Sequence, residues 1–128
     1  MDFNAAPSMP LLALVIDDSM LIRHTLTHFL ERRGFAVHTA TDGVMALEKL
    51  KTLRPDVIFT DLQMPKLGGY ELIEALKANA ETADIPVLIL AAKPLSESTN
   101  QAPAHSMIYK DLNIDAQLTR ALDSLFPS

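Results

Sequence analysis

Three short runs of apolar residues constrain this chain more than any other feature: Leu11–Ile16 (LLALVI), Val57–Phe59 inside DVIFTD, and Pro86–Ala91 (PVLILA). A strand with one wet face alternates apolar and polar residues, and these runs do not alternate. Their length and the polar residues that follow them suit strands covered on both faces, as in a parallel sheet.

Between the runs the apolar period changes to that of a helix. Ile22, Leu26, Phe29 and Leu30 recur at helical spacing between a capping Ser19 and a terminating Gly34. Phe35–Ala40 reads as a second strand. Asp42 caps a helix over Val44–Leu53, with Ala46, Leu47 and Leu50 inward. Asp56–Asp61 is the third strand, followed by the loop LQMPKLGG and a helix over Tyr70–Asn79 with Leu72, Ile73 and Leu76 on one side. Pro86–Ala91 is the fourth strand and Ser106–Lys110 the fifth. Ile114–Phe126 closes the chain as a helix with Leu118, Leu122 and Leu125 on one face.

Alternating strands and helices imply an α/β fold, because parallel strands need long crossovers. Right-handed crossovers make it an open doubly wound sheet. The segment Lys93–His105 fits this pattern least. It is polar, has Pro94 and Pro103 near its ends, and leaves room for about two helical turns.

Composition narrows the function. The chain has 128 residues, enough for one domain of the usual roughly 100–150. With 48% hydrophobic residues it is no disordered acidic tail. It has no cysteine, which removes disulfide scaffolds, thiolate zinc sites and cysteine nucleophiles. Lys plus Arg is 11 against 16 for Asp plus Glu, a formal charge of -5, so direct binding of nucleic acid is not expected. The N-terminus lacks the basic start and long apolar stretch of a signal peptide, and no run approaches the roughly 20 residues that span a bilayer. The expectation is a soluble, cytoplasmic protein without a membrane segment, in which residues 1–10 form a flexible tail and 11–128 one domain.

Ligands of doubly wound sheets sit at the carboxyl ends of the strands. Those ends carry Asp17 and Asp18, Asp61, Ala91 and Lys110. In the flavodoxin-like order 2-1-3-4-5 the first and third strands are neighbours, so Asp17, Asp18 and Asp61 converge. Carboxylates so placed repel one another unless a cation joins them. Mg²⁺ takes oxygen ligands and characteristically one or two carboxylates plus a substrate phosphate. A lysine beside it suits a phosphoryl oxygen, and the set points to phosphoryl transfer.

These residues, with DVIFTDLQMPKLGGYEL around Asp61 and IPVLILAA before the gap to Lys110, resemble the receiver domain of two-component response regulators. The resemblance covers about residues 11–126, and is to the single-domain kind, since nothing follows the closing helix. It implies that Asp61 is the phosphoacceptor and Lys110 pairs with the phosphoryl oxygens. It implies Mg²⁺ on the carboxylates of Asp18 and Asp61 and the backbone carbonyl of Gln63, with Asp17 acting mainly through water. It implies that Gly69 shapes the loop beside the site. The implied partners are a sensor histidine kinase or phosphotransfer protein and a downstream protein target. The resemblance implies no enzyme acting on outside substrates, and at most slow loss of the protein's own phosphoryl group.

Four departures from that family fall on the face the family uses for signalling. Ala91 stands where the family has Ser or Thr, so a hydrogen-bond donor to the phosphoryl group is missing. Met107 stands at the place of the switch aromatic, while Tyr109 is expected to face the other way. Asp111 replaces a proline that usually follows a cis bond. A trans bond is expected, since cis costs about 2.5–4 kcal/mol without proline, and it would redirect Lys110. The segment between Ala91 and Lys110 is short for the family, so its helix is expected to be short, displaced or mobile. The expected function is a phosphoacceptor with altered output coupling; the alternative is a pseudo-receiver that binds a protein regardless of phosphorylation.

Other features read more blandly. His24 and His28 have metal-binding spacing on a helix but no third ligand. Arg32 and Arg33 suit a helix end. A flavin carrier would want a phosphate loop after the first strand, where Asp17 and Asp18 would repel it. An aspartyl phosphatase would want a second acid where Gln63 stands. Gln63 and Lys93 are candidates for tuning the lifetime of the phosphoaspartate.

Overall fold

Each central strand divides its side chains between two separate cores. In the computed structural model, which describes residues 10–64, 66–91, 107–110 and 113–127, the element order is β1 (Leu12–Ile16), α1 (Met20–Arg32), β2 (Ala36–Ala40), α2 (Gly43–Lys49), β3 (Val57–Asp61), α3 (Gly69–Ala78), β4 (Val87–Ala91), β5 (Met107–Tyr109) and α4 (Ile114–Leu125). The five strands form one sheet in the order β2-β1-β3-β4-β5, and every pairing is parallel. The flavodoxin-like doubly wound order is as expected from the sequence.

Ala13 and Val15 of β1, Val57 and Phe59 of β3, and Leu88 and Leu90 of β4 pack with Leu26 and Leu30 of α1 and Leu118 and Leu122 of α4. The residues between them, Leu14, Ile16, Ile58, Val87 and Ile89, pack on the other side with Ala46 of α2 and Leu72, Ile73 and Leu76 of α3. Successive strand side chains point to opposite faces, so two covered faces demand an unbroken apolar run. Each buried Val, Leu, Ile or Phe side chain contributes roughly 1.5–3 kcal/mol by leaving water.

The helices start where their caps are. Ser19 Oγ accepts from Ile22 N at 3.3 Å, and Asp42 Oδ1 accepts from Met45 N at 2.8 Å. Gly34 ends α1 in a left-handed conformation (φ 93°). Helix α2 is shorter than the expected Val44–Leu53. Lys51 N and Thr52 N bond three residues back, to Glu48 O and Lys49 O, which tightens the chain out of the α form before Pro55. Leu125, expected inward, is 36% exposed at the fraying end of α4.

Met107 and Tyr109 share a face of β5, contrary to the sequence expectation. They are two residues apart, the strand repeat, and both are half-buried around a buried Ile108. The expected tail, residues 1–10, lies outside the described residues apart from Pro10, as do the expected irregular helix between β4 and β5, Lys93, and the peptide bond to Asp111.

Candidate functional site at the carboxyl ends of β1, β3 and β5

Asp17 follows β1 and is fully buried, with every backbone polar group engaged. Its N donates to Ala40 O at 3.1 Å, and its O accepts from Arg23 Nη1 at 2.8 Å. Its Oδ1 accepts from Ser19 N at 2.9 Å. Asp18, next in the chain, is exposed. Asp61 ends β3, which lies directly beside β1. Oxygens of Asp17, Asp18 and Asp61 all lie within 4.8 Å of one another, as the strand order requires.

Lys110 follows β5, pinned by its N donating to Ala91 O at 2.7 Å. Its ammonium lies 2.8 Å from Asp17 Oδ2 and 3.2 Å from Asp61 Oδ2. The lysine therefore reaches the cluster, contrary to the expected redirection by Asp111. The contact to Asp17 Oδ2 is an ion pair, and no other donor among the described residues reaches this buried oxygen.

The electrostatics follow from the crowding. Burial pushes the Asp17 carboxyl above the usual carboxylate range. The Lys110 ammonium and the Ser19 amide offset that only in part, and the Asp61 charge adds to it. Burial alone would lower the Lys110 ammonium, but the two carboxylates outweigh it and hold it above the ordinary lysine value. The lysine stays charged, and the carboxylates still lack enough positive charge.

Three converging carboxylates, one of them fully buried, are a donor set for a hard cation, and their oxygens fit Mg²⁺. Gln63 lies two residues past Asp61, with its N 3.4 Å from Asp61 Oδ1. Gly69 closes the same loop: a Cβ there would collide with Asp61 O. Ala91 ends β4, buried and without a polar side chain.

Sequence reading missed two residues that border this site, Arg23 against Asp17 and Gly43 against Leu67. Arg23 lies one turn inside α1 and orients the Asp17 carbonyl; as a basic residue in a capped helix it gave no distinguishing signal. Gly43 abuts the loop after Asp61, which only the tertiary structure brings near. By contrast, His24 and His28 stack with ring centroids 6.3 Å apart, and they are not part of any three-residue metal-ligand group among the described residues.

Residues 13–122 match the family model of the response regulator receiver domain. The chain belongs to that family. The receiver is 41% identical over 80 residues to protein PilG of Pseudomonas aeruginosa, covering 62% of this chain and 59% of that one. It is 38% identical over 85 residues to response regulator MprA of Mycobacterium sp. (strain KMS), covering 66% of this chain. The receiver thus spans only 36% of the length of MprA. The structure of the chemotaxis response regulator CheY4 of Vibrio cholerae superposes with a TM-score of 0.82 at 30% identity, covering 91% of this chain and 99% of that one. The receiver is thus a signalling module of the two-component type.

Proposed function

We propose that this receiver accepts a phosphoryl group on Asp61, with Mg²⁺ beside it, from a sensor histidine kinase or a phosphotransfer protein. One observation carries the reading: the carboxylates of residues 17, 18 and 61 meet, and the Lys110 ammonium touches two of them. Asp18 and Asp61 would hold the ion through carboxylates and Gln63 through its carbonyl, with Asp17 acting mainly through water. When bound, the ion supplies positive charge against the phosphoryl oxygens.

The protein's own groups do the rest. An Asp61 carboxylate oxygen attacks phosphorus; the new O–P bond forms as the donor's N–P bond breaks, and the departing imidazole nitrogen takes up a proton. Lys110, charged and 14% exposed, faces that position. Asp17 holds the lysine there, and its own N, O and Oδ1 are fixed by Ala40, Arg23 and Ser19. No outside substrate is turned over, beyond slow loss of the phosphoryl group to water.

The output is a protein target, in the cytoplasm and without direct nucleic-acid contact. Its coupling is altered, because Ala91 offers the phosphoryl group no donor, Met107 is not aromatic, and Asp111 is not proline. Residues 11–128 form the receiver and 1–10 its tail. The missing donor at Ala91 also favours a second reading, a protein-binding module indifferent to phosphorylation.

The test is exposure to a small-molecule phosphodonor with and without Mg²⁺, read by intact mass, with Asp61→Asn as control. Uptake of one phosphoryl group by the parent protein alone, and only with Mg²⁺, is expected. No mass gain on the parent would overturn the proposal. Equal affinity for a protein target with and without a phosphoryl mimic would establish the second reading.

A further inference from the structure

The loop that carries Asp61 leans on a second corner of the molecule, and we infer that Gly43, at the start of α2, is a positioning residue for it. This inference rests on reading the acidic cluster as a magnesium and phosphoryl site. The loop runs from Leu62 to Gly68 and closes where Gly69 N donates to Leu62 O at 3.0 Å. Between those ends, Gly43 N donates to Leu67 O at 3.2 Å. A Cβ on Gly43 would meet that same oxygen at 2.6 Å and Leu67 Cβ at 2.8 Å. These are backbone and near-backbone atoms, so the loop itself would have to move.

Space, not backbone conformation, is what demands glycine here. Among the described residues Gly34 is the glycine with positive φ, so alanine could adopt the backbone of Gly43. The position also opens a helix, where alanine is the better former. A second contact joins the same two corners: Lys66 Nζ lies 3.8 Å from Asp42 Oδ2. Lys66 is 68% exposed, so that pair is screened and weak. The steric stop at Gly43 is the stronger of the two.

A shift at Leu67 has little room to dissipate. Leu62, Met64 and Leu67 all pack against the core beneath α2 and α3, and packed cores transmit displacement. Asp61 and Gln63 flank Leu62 in the chain. A Cβ at Gly43 therefore disturbs the proposed ion site without touching any of its ligands.

The test compares Gly43→Ala with Gly34→Ala. Gly34 has φ +93° and open space around its missing Cβ, so alanine there strains the backbone without pressing on a neighbour. In metal-free buffer, Gly43→Ala should shift the amide resonances of residues 61–64 and 66–69 while Gly34→Ala leaves them in place. In a Mg²⁺ titration, Gly43→Ala should weaken affinity several-fold, and its thermal midpoint should fall as well, because the displaced loop packs on the core. Gly34→Ala should lower the midpoint and leave the affinity unchanged.

Unmoved amides at 61–64 and 66–69 in Gly43→Ala would overturn the inference. So would an affinity loss that merely tracks lost stability in both variants. If the parent binds no Mg²⁺, the reading of the site fails instead, and the metal-free amide shifts alone decide for or against Gly43.

Discussion

The carboxyl ends of β1 and β3 and the carboxyl end of β4 lie along the same edge of the sheet but are furnished very differently. At the first, Asp17 is buried with its backbone and Oδ1 held by Ala40, Arg23 and Ser19, and it meets Asp18 and Asp61 within 4.8 Å. At the second, Ala91 has a methyl side chain, and its backbone carbonyl accepts from Lys110 N. On the proposed function, collecting charge and relaying its arrival are separate tasks in this fold. The first needs side chains at adjacent strand ends plus one cation. The second needs a donor that contacts the new group differently from the old, and β4 brings none.

The most severe way to break the contrast is to remove the cation that bridges the two regions. Lys110→Met leaves two carboxylates facing each other, one of them buried. Stripping one partner from a fully buried pair costs roughly 3–5 kcal/mol. Lys110 keeps some access to water, so a loss of about 1–3 kcal/mol is expected in metal-free buffer. A urea melt measures it, and saturating Mg²⁺ should recover much of the loss by binding the folded form. An unchanged midpoint would show that the carboxylates do not depend on the lysine.

A gentler change tests the crowding itself. The folded Asp17 carboxyl lies above its unfolded value. Its contribution therefore favours the folded state below the ordinary carboxylate range and is lost as pH rises through the raised folded value. Lys110 is also raised, so its contribution persists through neutral pH and is lost only in alkali. In metal-free buffer the stability of the parent relative to Asp17→Asn should therefore fall as pH climbs out of the acid range. A difference that stays flat or grows there would contradict the crowded carboxylate.

The mildest change sharpens the other region. Ala91→Ser adds a hydroxyl where β4 ends, worth about 0.5–1.5 kcal/mol as a hydrogen bond and more to a charged group. A phosphoryl mimic should then shift the amides of Met107, Ile108 and Tyr109 more in the variant than in the parent. Equal shifts would mean that the missing donor is not what separates the regions.

The fold was legible because parallel strands covered on both faces write themselves as unbroken apolar runs, and Ser19, Asp42 and Gly34 mark helix ends by local chemistry. The acidic cluster was legible because strand order follows from the βα alternation, and order alone brings residue 61 to residues 17 and 18. Depth and reach were not. Whether Lys110 finds the cluster depends on a turn whose geometry the sequence does not encode locally. The contact between Gly43 and Leu67 joins residues far apart in the chain by bulk that glycine lacks. The end of α2 was misplaced because Leu50 and Leu53 continue the helical period across Lys51 and Thr52, where the backbone has already tightened to three-residue bonds.

One small arrangement at the border of the sheet has a wider consequence. The side-chain amide of Gln117, on α4, accepts from Tyr109 N at 2.8 Å through Oε1 and donates to Tyr109 O at 2.9 Å through Nε2. It imitates a neighbouring peptide group at an outer strand that would otherwise offer unpaired amides to any passing chain. A guest strand laid along β5 must evict this residue before it can extend the ladder, which steers association toward contacts between side chains rather than sheet growth.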